Sequence, residues 1–333
     1  MDKKVSRDFT LDVLRALSCI MVFGVHLGQK VTIPGSLGVF FSKGSTGVGF
    51  FFILSGYLAY ASLERLQSKY DSFVKTMVVF WIKKLLRILP LYFIVILFYM
   101  VFYYAIGGVP EDNTGLYWVR YLVFANSFVT SENPFWTNLG AVWSISCFVF
   151  FYLICPICYK FIRKSWSAWI SVIVSYGLLK FIDARNIYNL PLRWLFYFLL
   201  GVLVYVACKE NKEAFTVGVM FIVVLFCVLT DKGTSIIAPL LASVLILATR
   251  NSKNSSNLGI IEKSINYISM VSYSIYLIHV VVIKVLDYIE VFYGATYAIV
   301  LIVSTAVISV ASYYLIEKRL GNVLMNATMG LIQ

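Results

Sequence analysis

The chain has 333 residues, of which 60% are hydrophobic and 13% charged, with a formal net charge of +12. Soluble globular domains carry about 25% charged residues, and the mean hydropathy here is +0.85. Composition therefore excludes a water-soluble domain and predicts an all-α, polytopic integral membrane protein.

About 20 apolar residues cross a bilayer as a helix. On that criterion the chain predicts ten spans, at residues 11–29, 46–63, 88–107, 138–159, 166–182, 190–208, 214–230, 234–249, 264–283 and 294–316. The polar start Met1–Asp8 leads into an apolar run without a small-residue cleavage site, so no cleaved signal is expected. An even number of spans places both termini on one side. Lysines and arginines concentrate there, 19 against 8 on the opposite side, which puts both termini in the cytoplasm. The positive net charge is thus mainly a topology signal, and no nucleic-acid partner is expected.

The first span contains Asp12, Arg15 and His26. Ionisable groups inside a span are costly and mark functional sites by default. At about 100° per residue, eleven residues make three turns plus roughly 20°, so Arg15 and His26 share a face about 16 Å apart along the axis. Asp12, three residues before Arg15, can pair with it on that face. Packing readings also exist: Arg15 snorkelling to the interface beside Asp12, and His26 in a helix-to-helix hydrogen bond. An arginine and a histidine at two depths on one face fit a polar cavity better.

The second span contains Ser55 and Gly56, a small pair suited to close helix approach or to a ligand. The basic segment 64–87 ends in Lys83, Lys84 and Arg87, which suit either positive-inside topology or phosphate binding. The outer segment 108–137 places Glu111, Asp112 and Glu132 among Tyr117, Trp118, Tyr121, Phe135 and Trp136. Rings beside hydrogen-bonding groups suit a sugar surface, and they equally suit an aromatic belt at the membrane interface. All six cysteines lie in spans or at their ends, so no disulfide framework is expected. Cys155-Pro156-Ile157-Cys158 reads as apolar packing with a proline kink, and no metal site is expected. The second histidine, His279, follows Tyr273 and Tyr276 on its span.

Together these stretches resemble the acyltransferase 3 family of integral-membrane acyltransferases. LDVLRALSCIMVFGVH (11–26) resembles its D-x-x-R and R-x10-H elements, and GVGFFFILSGYL (47–58) its G-x-x-x-F-F-x-L-S-G-[FY]-L element. KKLLRILPLY (83–92) resembles the basic segment, with Lys84 in place of its first arginine. MVSYSIYLIH (270–279) and YYLIEKRL (313–320) resemble the C-terminal elements. VWSISCFVFFYLICP (142–156) matches at Trp143, Ser144, Phe151 and Tyr152, but Phe148 stands where the family usually has a glutamate. Asp12 is one candidate to supply the missing carboxylate.

The resemblance implies a transmembrane acyltransferase domain, expected here as a single domain over residues 1–333; some members carry an appended soluble hydrolase-like domain, and none is expected within these residues. It also implies transfer of an acyl group, acetyl from acetyl-CoA in many members, to a hydroxyl of an extracytoplasmic glycan. Such acceptors include O-antigen, capsule or exopolysaccharide, or a lipid-linked glycan, and the setting is a bacterial inner membrane. On this expectation Lys83, Lys84, Arg87 and Arg15 hold the CoA donor, and His26 with Arg15 and Asp12 carries the chemistry. Ser55, Trp143, Ser144, Tyr152, His279, Trp118 and Trp136 contact substrate. A carrier or flippase for a lipid-linked sugar or small anion is the rival class, since buried Arg and His also suit a proton-coupled path. No inverted repeat supports it. The phenylalanine at 148 also admits a catalytically silent scaffold.

Overall fold

The computed structural model describes residues 8–106, 116–128, 139–185, 190–230, 234–249 and 259–330. Among these residues there are helices and turns and no strand. In a bilayer every backbone polar group must be satisfied internally, and a helix does this within one segment.

Helix α1 spans Phe9–Gly28 and starts at Asp8, whose carboxylate accepts from the Thr10 amide at 3.0 Å. A short helix, α2, spans Gly35–Ser42, and α3 spans Thr46–Gln67. The 33-residue α4, Phe73–Ala105, is capped by Ser72 and contains Pro90. At about 1.5 Å per residue it is near 50 Å long and overreaches a bilayer's apolar core. Then come α5 (Leu116–Leu122), α6 (Val142–Phe161), α7 (Ser165–Asp183), α8 (Pro191–Lys209) and α9 (Glu213–Thr230). Helix α10, Ile237–Thr249, follows a single 3-10 turn, and α11 spans Ile260–Ile289. Helix α12, Gly294–Ser312, runs through a π-helical stretch, Tyr313–Leu320, into α13, Gly321–Gly330.

Nine of the predicted spans are long enough to cross a membrane, and the tenth, 234–249, yields only the 13 helical residues of α10. Its role follows from register. Asp12 meets Ser269, His26 meets His279, and Lys30 meets Asp287. Contacts that advance together along both chains make α1 and α11 parallel. Parallel helices need an odd number of passes between them, and the long helices α3, α4, α6, α7, α8 and α9 supply six. Helix α10 makes the seventh, so the alternation of ten passes survives although one is short.

The outward faces are apolar, as a lipid-facing surface requires: Phe221, Phe226 and Leu229 of α9 are exposed. The interior is tied by close helix crossings. A Cβ on Gly56 would stand 2.0 Å from the Phe198 carbonyl oxygen, and one on Gly201 would stand 1.9 Å from that of Ile53. Only glycine at both positions lets α3 and α8 approach so closely.

Candidate functional site

Five helices, α1, α3, α4, α6 and α11, line a partly open cavity of about 120 Å³. Its polar lining is Arg15, Ser55, Lys84, Arg87, Tyr152, Ser272, Tyr273 and Tyr276, and its apolar lining includes Val48, Phe51, Leu58, Ile145 and Phe148. The cavity thus has three cations and no carboxylate among its lining residues, which is the electrostatics of an anion site.

Each cation is held differently. Asp12 is buried, and its Oδ1 accepts from the Ser269 hydroxyl at 2.5 Å and from Arg15 Nη1 at 3.4 Å. Arg15 Nη1 also reaches Ser269 Oγ at 3.2 Å. The predicted Asp12–Arg15 pair therefore exists, with Ser269 of α11 as a third member that periodicity along α1 does not reveal. Lys84 Nζ lies 5.4 Å from the Tyr152 ring centre and 5.6 Å from that of Phe80, within cation–π range. Arg87 lines the cavity one turn along α4 and acts electrostatically on Glu317 of the π-helical stretch. Glu317 in turn accepts from the Ser274 hydroxyl of α11.

Pro90 lies inside α4. It has no N–H to donate to the preceding turn, and the helix nonetheless runs on through it. The Tyr273 hydroxyl donates to the Ile88 carbonyl at 2.6 Å, two residues before Pro90, and so pins α11 to α4 at the cavity wall.

The two histidines lie next to this cavity and not in its lining. Their rings stand 5.2 Å apart between centroids, His26 on α1 and His279 on α11. Tyr276, which lines the cavity, has its ring centre 6.1 Å from that of His279. Its hydroxyl donates to Ser144 Oγ at 2.8 Å, and Ser144 donates to the Ala141 carbonyl at 2.9 Å. Ser144 therefore orients Tyr276 from behind.

Of the residues expected to touch substrate, Ser55 and Tyr152 line the cavity. Trp143 does not line it: its ring packs on Trp194 at 5.0 Å and on Phe52 at 6.4 Å. Trp118 is buried in α5, 6.1 Å from the Tyr121 ring. Trp136 lies outside the described residues, as do Lys3, Lys4, Arg7, Glu111, Asp112, Glu132, Phe135, Lys232, Arg250 and Lys253. Lys83 is exposed and absent from the lining, since the residue before Lys84 on a helix points about 100° away. Phe148 does line the cavity, packed on Phe52 at 4.9 Å and Phe198 at 5.7 Å. Asp12 does not replace a carboxylate there, because it is held by Ser269 and Arg15 outside the lining. The expectations passed over Tyr273, Tyr276 and Glu317 as site residues. The two tyrosines share His279's helix three and six residues earlier, and Glu317 falls in the C-terminal resemblance.

Residues 8–314 match the family model described as an acyltransferase domain, which is most of the chain. The chain belongs to the acyltransferase 3 family. No curated protein and no solved structure gives a match. The acyltransferase is an integral membrane protein, and its reaction requires an acyl donor and an acceptor. The matched region contains every cavity-lining residue and both histidines.

Proposed function

We propose that the acyltransferase moves an acetyl group from cytoplasmic acetyl-CoA to a hydroxyl of an extracytoplasmic glycan in a bacterial inner membrane. The observation that carries this reading is the single cavity joining Arg15, Lys84 and Arg87, with the histidine pair beside it. Three cations without a lining carboxylate suit the phosphates of a CoA thioester. Both termini are taken as cytoplasmic on the lysine and arginine bias. That orientation points the Asp12 end of α1 at the donor and the His26 end at the acceptor.

In the reaction, the acceptor oxygen attacks the thioester carbonyl while His26 takes the hydroxyl proton as general base. The carbon–sulfur bond breaks, the ester forms, and the leaving thiolate takes the proton back from the imidazolium. Arg15, about 16 Å along α1 from His26, orients the donor's arm on its way to the thioester, and Asp12 with Ser269 keeps its guanidinium in place.

The test is transfer of labelled acetyl from acetyl-CoA to candidate glycans by purified protein. His26→Ala lowers the rate about 10²–10⁴-fold, the usual worth of a general base, while membrane insertion is unchanged. Arg15→Lys keeps the charge but loses the planar fork, so it lowers transfer as well. Full transfer by His26→Ala would remove the histidine from the mechanism.

A further inference from the structure

The two histidines of this chain meet each other, and one ring nitrogen has no protein partner among the described residues. The Nδ1–H of His279 donates to the Ile275 carbonyl at 2.9 Å, which makes Nε2 the lone-pair nitrogen. That Nε2 is buried without a hydrogen-bond partner, on a residue 1% exposed. A buried acceptor without a partner is costly. His26 is arranged alike: its Nδ1 lies 3.2 Å from Gln29 Oε1, which again leaves Nε2 for another group.

This is the pattern of metal-ligating histidines, which tie one ring N–H to a carbonyl or similar acceptor and ligate through the other nitrogen. Spacing agrees. With metal–nitrogen bonds of about 2.0–2.1 Å, tetrahedral angles and ring centres about 1.2 Å behind each nitrogen, two bound imidazoles stand about 5.2 Å apart. The observed centroid separation is 5.2 Å, with the rings tilted by 42°. The nearest cation is partly neutralised. Lys30, one turn beyond His26, is paired with Asp287 at 2.6 Å, and the Tyr276 hydroxyl is committed to Ser144.

We infer that His26 and His279 form a two-imidazole site for a divalent first-row transition ion such as Cu²⁺ or Zn²⁺. Both ligands are neutral Nε2 atoms, and water fills the remaining positions. Among the described residues no three His, Cys, Asp or Glu side chains come together. The site is therefore weaker than a three- or four-ligand centre, and Cu²⁺ binds more tightly than Zn²⁺.

The site has a consequence for the reaction that rests on His26 being the base. A bound ion occupies the lone pair that would take the hydroxyl proton, so Zn²⁺ inhibits transfer.

The experiment is titration of the full-length purified protein in detergent with Cu²⁺ alone, read by electron paramagnetic resonance. Wild type shows one ion with hyperfine structure from two imidazole nitrogens, displaced by excess Zn²⁺. His279→Gln and His26→Gln each lose one nitrogen and at least tenfold in affinity, with thermal midpoints recorded to show that both variants fold. His26 is the less buried of the two, so its variant keeps the test alive should His279→Gln misfold. Sulfur coordination from the cysteines, or affinity unchanged in both variants, would overturn the site. So would a protein that binds no Cu²⁺ yet loses transfer in His279→Gln, which would give the bare nitrogen to the acceptor hydroxyl. Binding without inhibition keeps the site and counts only against His26 as the base.

Discussion

Replacing Gly201 by alanine tests whether the crossing of α3 and α8 holds the cavity in shape. The new Cβ would lie 1.9 Å from the Ile53 carbonyl oxygen and 2.8 Å from the Tyr57 amide nitrogen. Both are backbone atoms and cannot rotate aside. Restoring a tolerable contact parts the helices by about 1 Å, and a gap of that size forfeits a quarter to a half of the dispersion energy along the seam. Overpacking of this kind costs about 1–3 kcal/mol, and alanine returns about 1 kcal/mol of helix propensity. The net expectation is a loss of up to about 2 kcal/mol. Helix α3 carries Val48, Phe51, Ser55 and Leu58 of the cavity lining, and a displacement near 1 Å at a reacting centre costs about 10²-fold in rate. Thermal unfolding in detergent and acetyl transfer are measured side by side. Gly177→Ala and Gly218→Ala are the controls, because a Cβ at either meets nothing within 4 Å. Each control gains up to about 1 kcal/mol. A Gly201→Ala protein as stable and active as these controls would refute the close crossing and its link to the site.

Lys84→Ala or Arg87→Ala raises the KM for acetyl-CoA about 10–100-fold, the worth of one charge-assisted hydrogen bond, while Lys83→Ala stays within twofold. Equal effects at all three positions would indicate a diffuse surface field rather than a lined site. At the end of α8, Glu210 Oε2 accepts from the Ser165 hydroxyl at 2.5 Å and from its amide at 2.8 Å. These donors hold the Glu210 carboxyl below its ordinary value of 4.5. Its stabilising contribution is therefore complete above the unfolded value and is lost as pH falls through the lower folded one. Unfolding midpoints of wild type and Glu210→Gln consequently differ at neutral pH and converge in acid, and a constant gap would contradict this.

Much of the architecture is legible in the residue order because lipid imposes a simple rule. A run of apolar residues must become a helix, and the periodicity of α1 alone puts Asp12, Arg15 and His26 on one face. The short α10 is the exception. Its residues are apolar enough to cross, but its helical length is not readable from hydropathy, and the parallel register of α1 and α11 establishes its pass. The cationic half of the site was partly legible too, since Arg15, Ser55, Lys84, Arg87 and Tyr152 all reach one cavity. Lys83 did not, because adjacent helical residues point in different directions.

The sequence by itself determined the long apolar helices and which face of α1 carries polar groups. These follow from local chemistry: apolar transfer into lipid, internal satisfaction of the backbone, and the 3.6-residue turn. Only the tertiary structure decided who meets whom. It joined His26 to His279 across 253 positions, brought Ser269 to Asp12 across 257, and set Phe148 in the wall of a cavity without a carboxylate. Such pairings depend on which helix faces pack together, and the close approach at Gly56 and Gly201 is one of the contacts that sets them. No periodicity within a single helix contains that information.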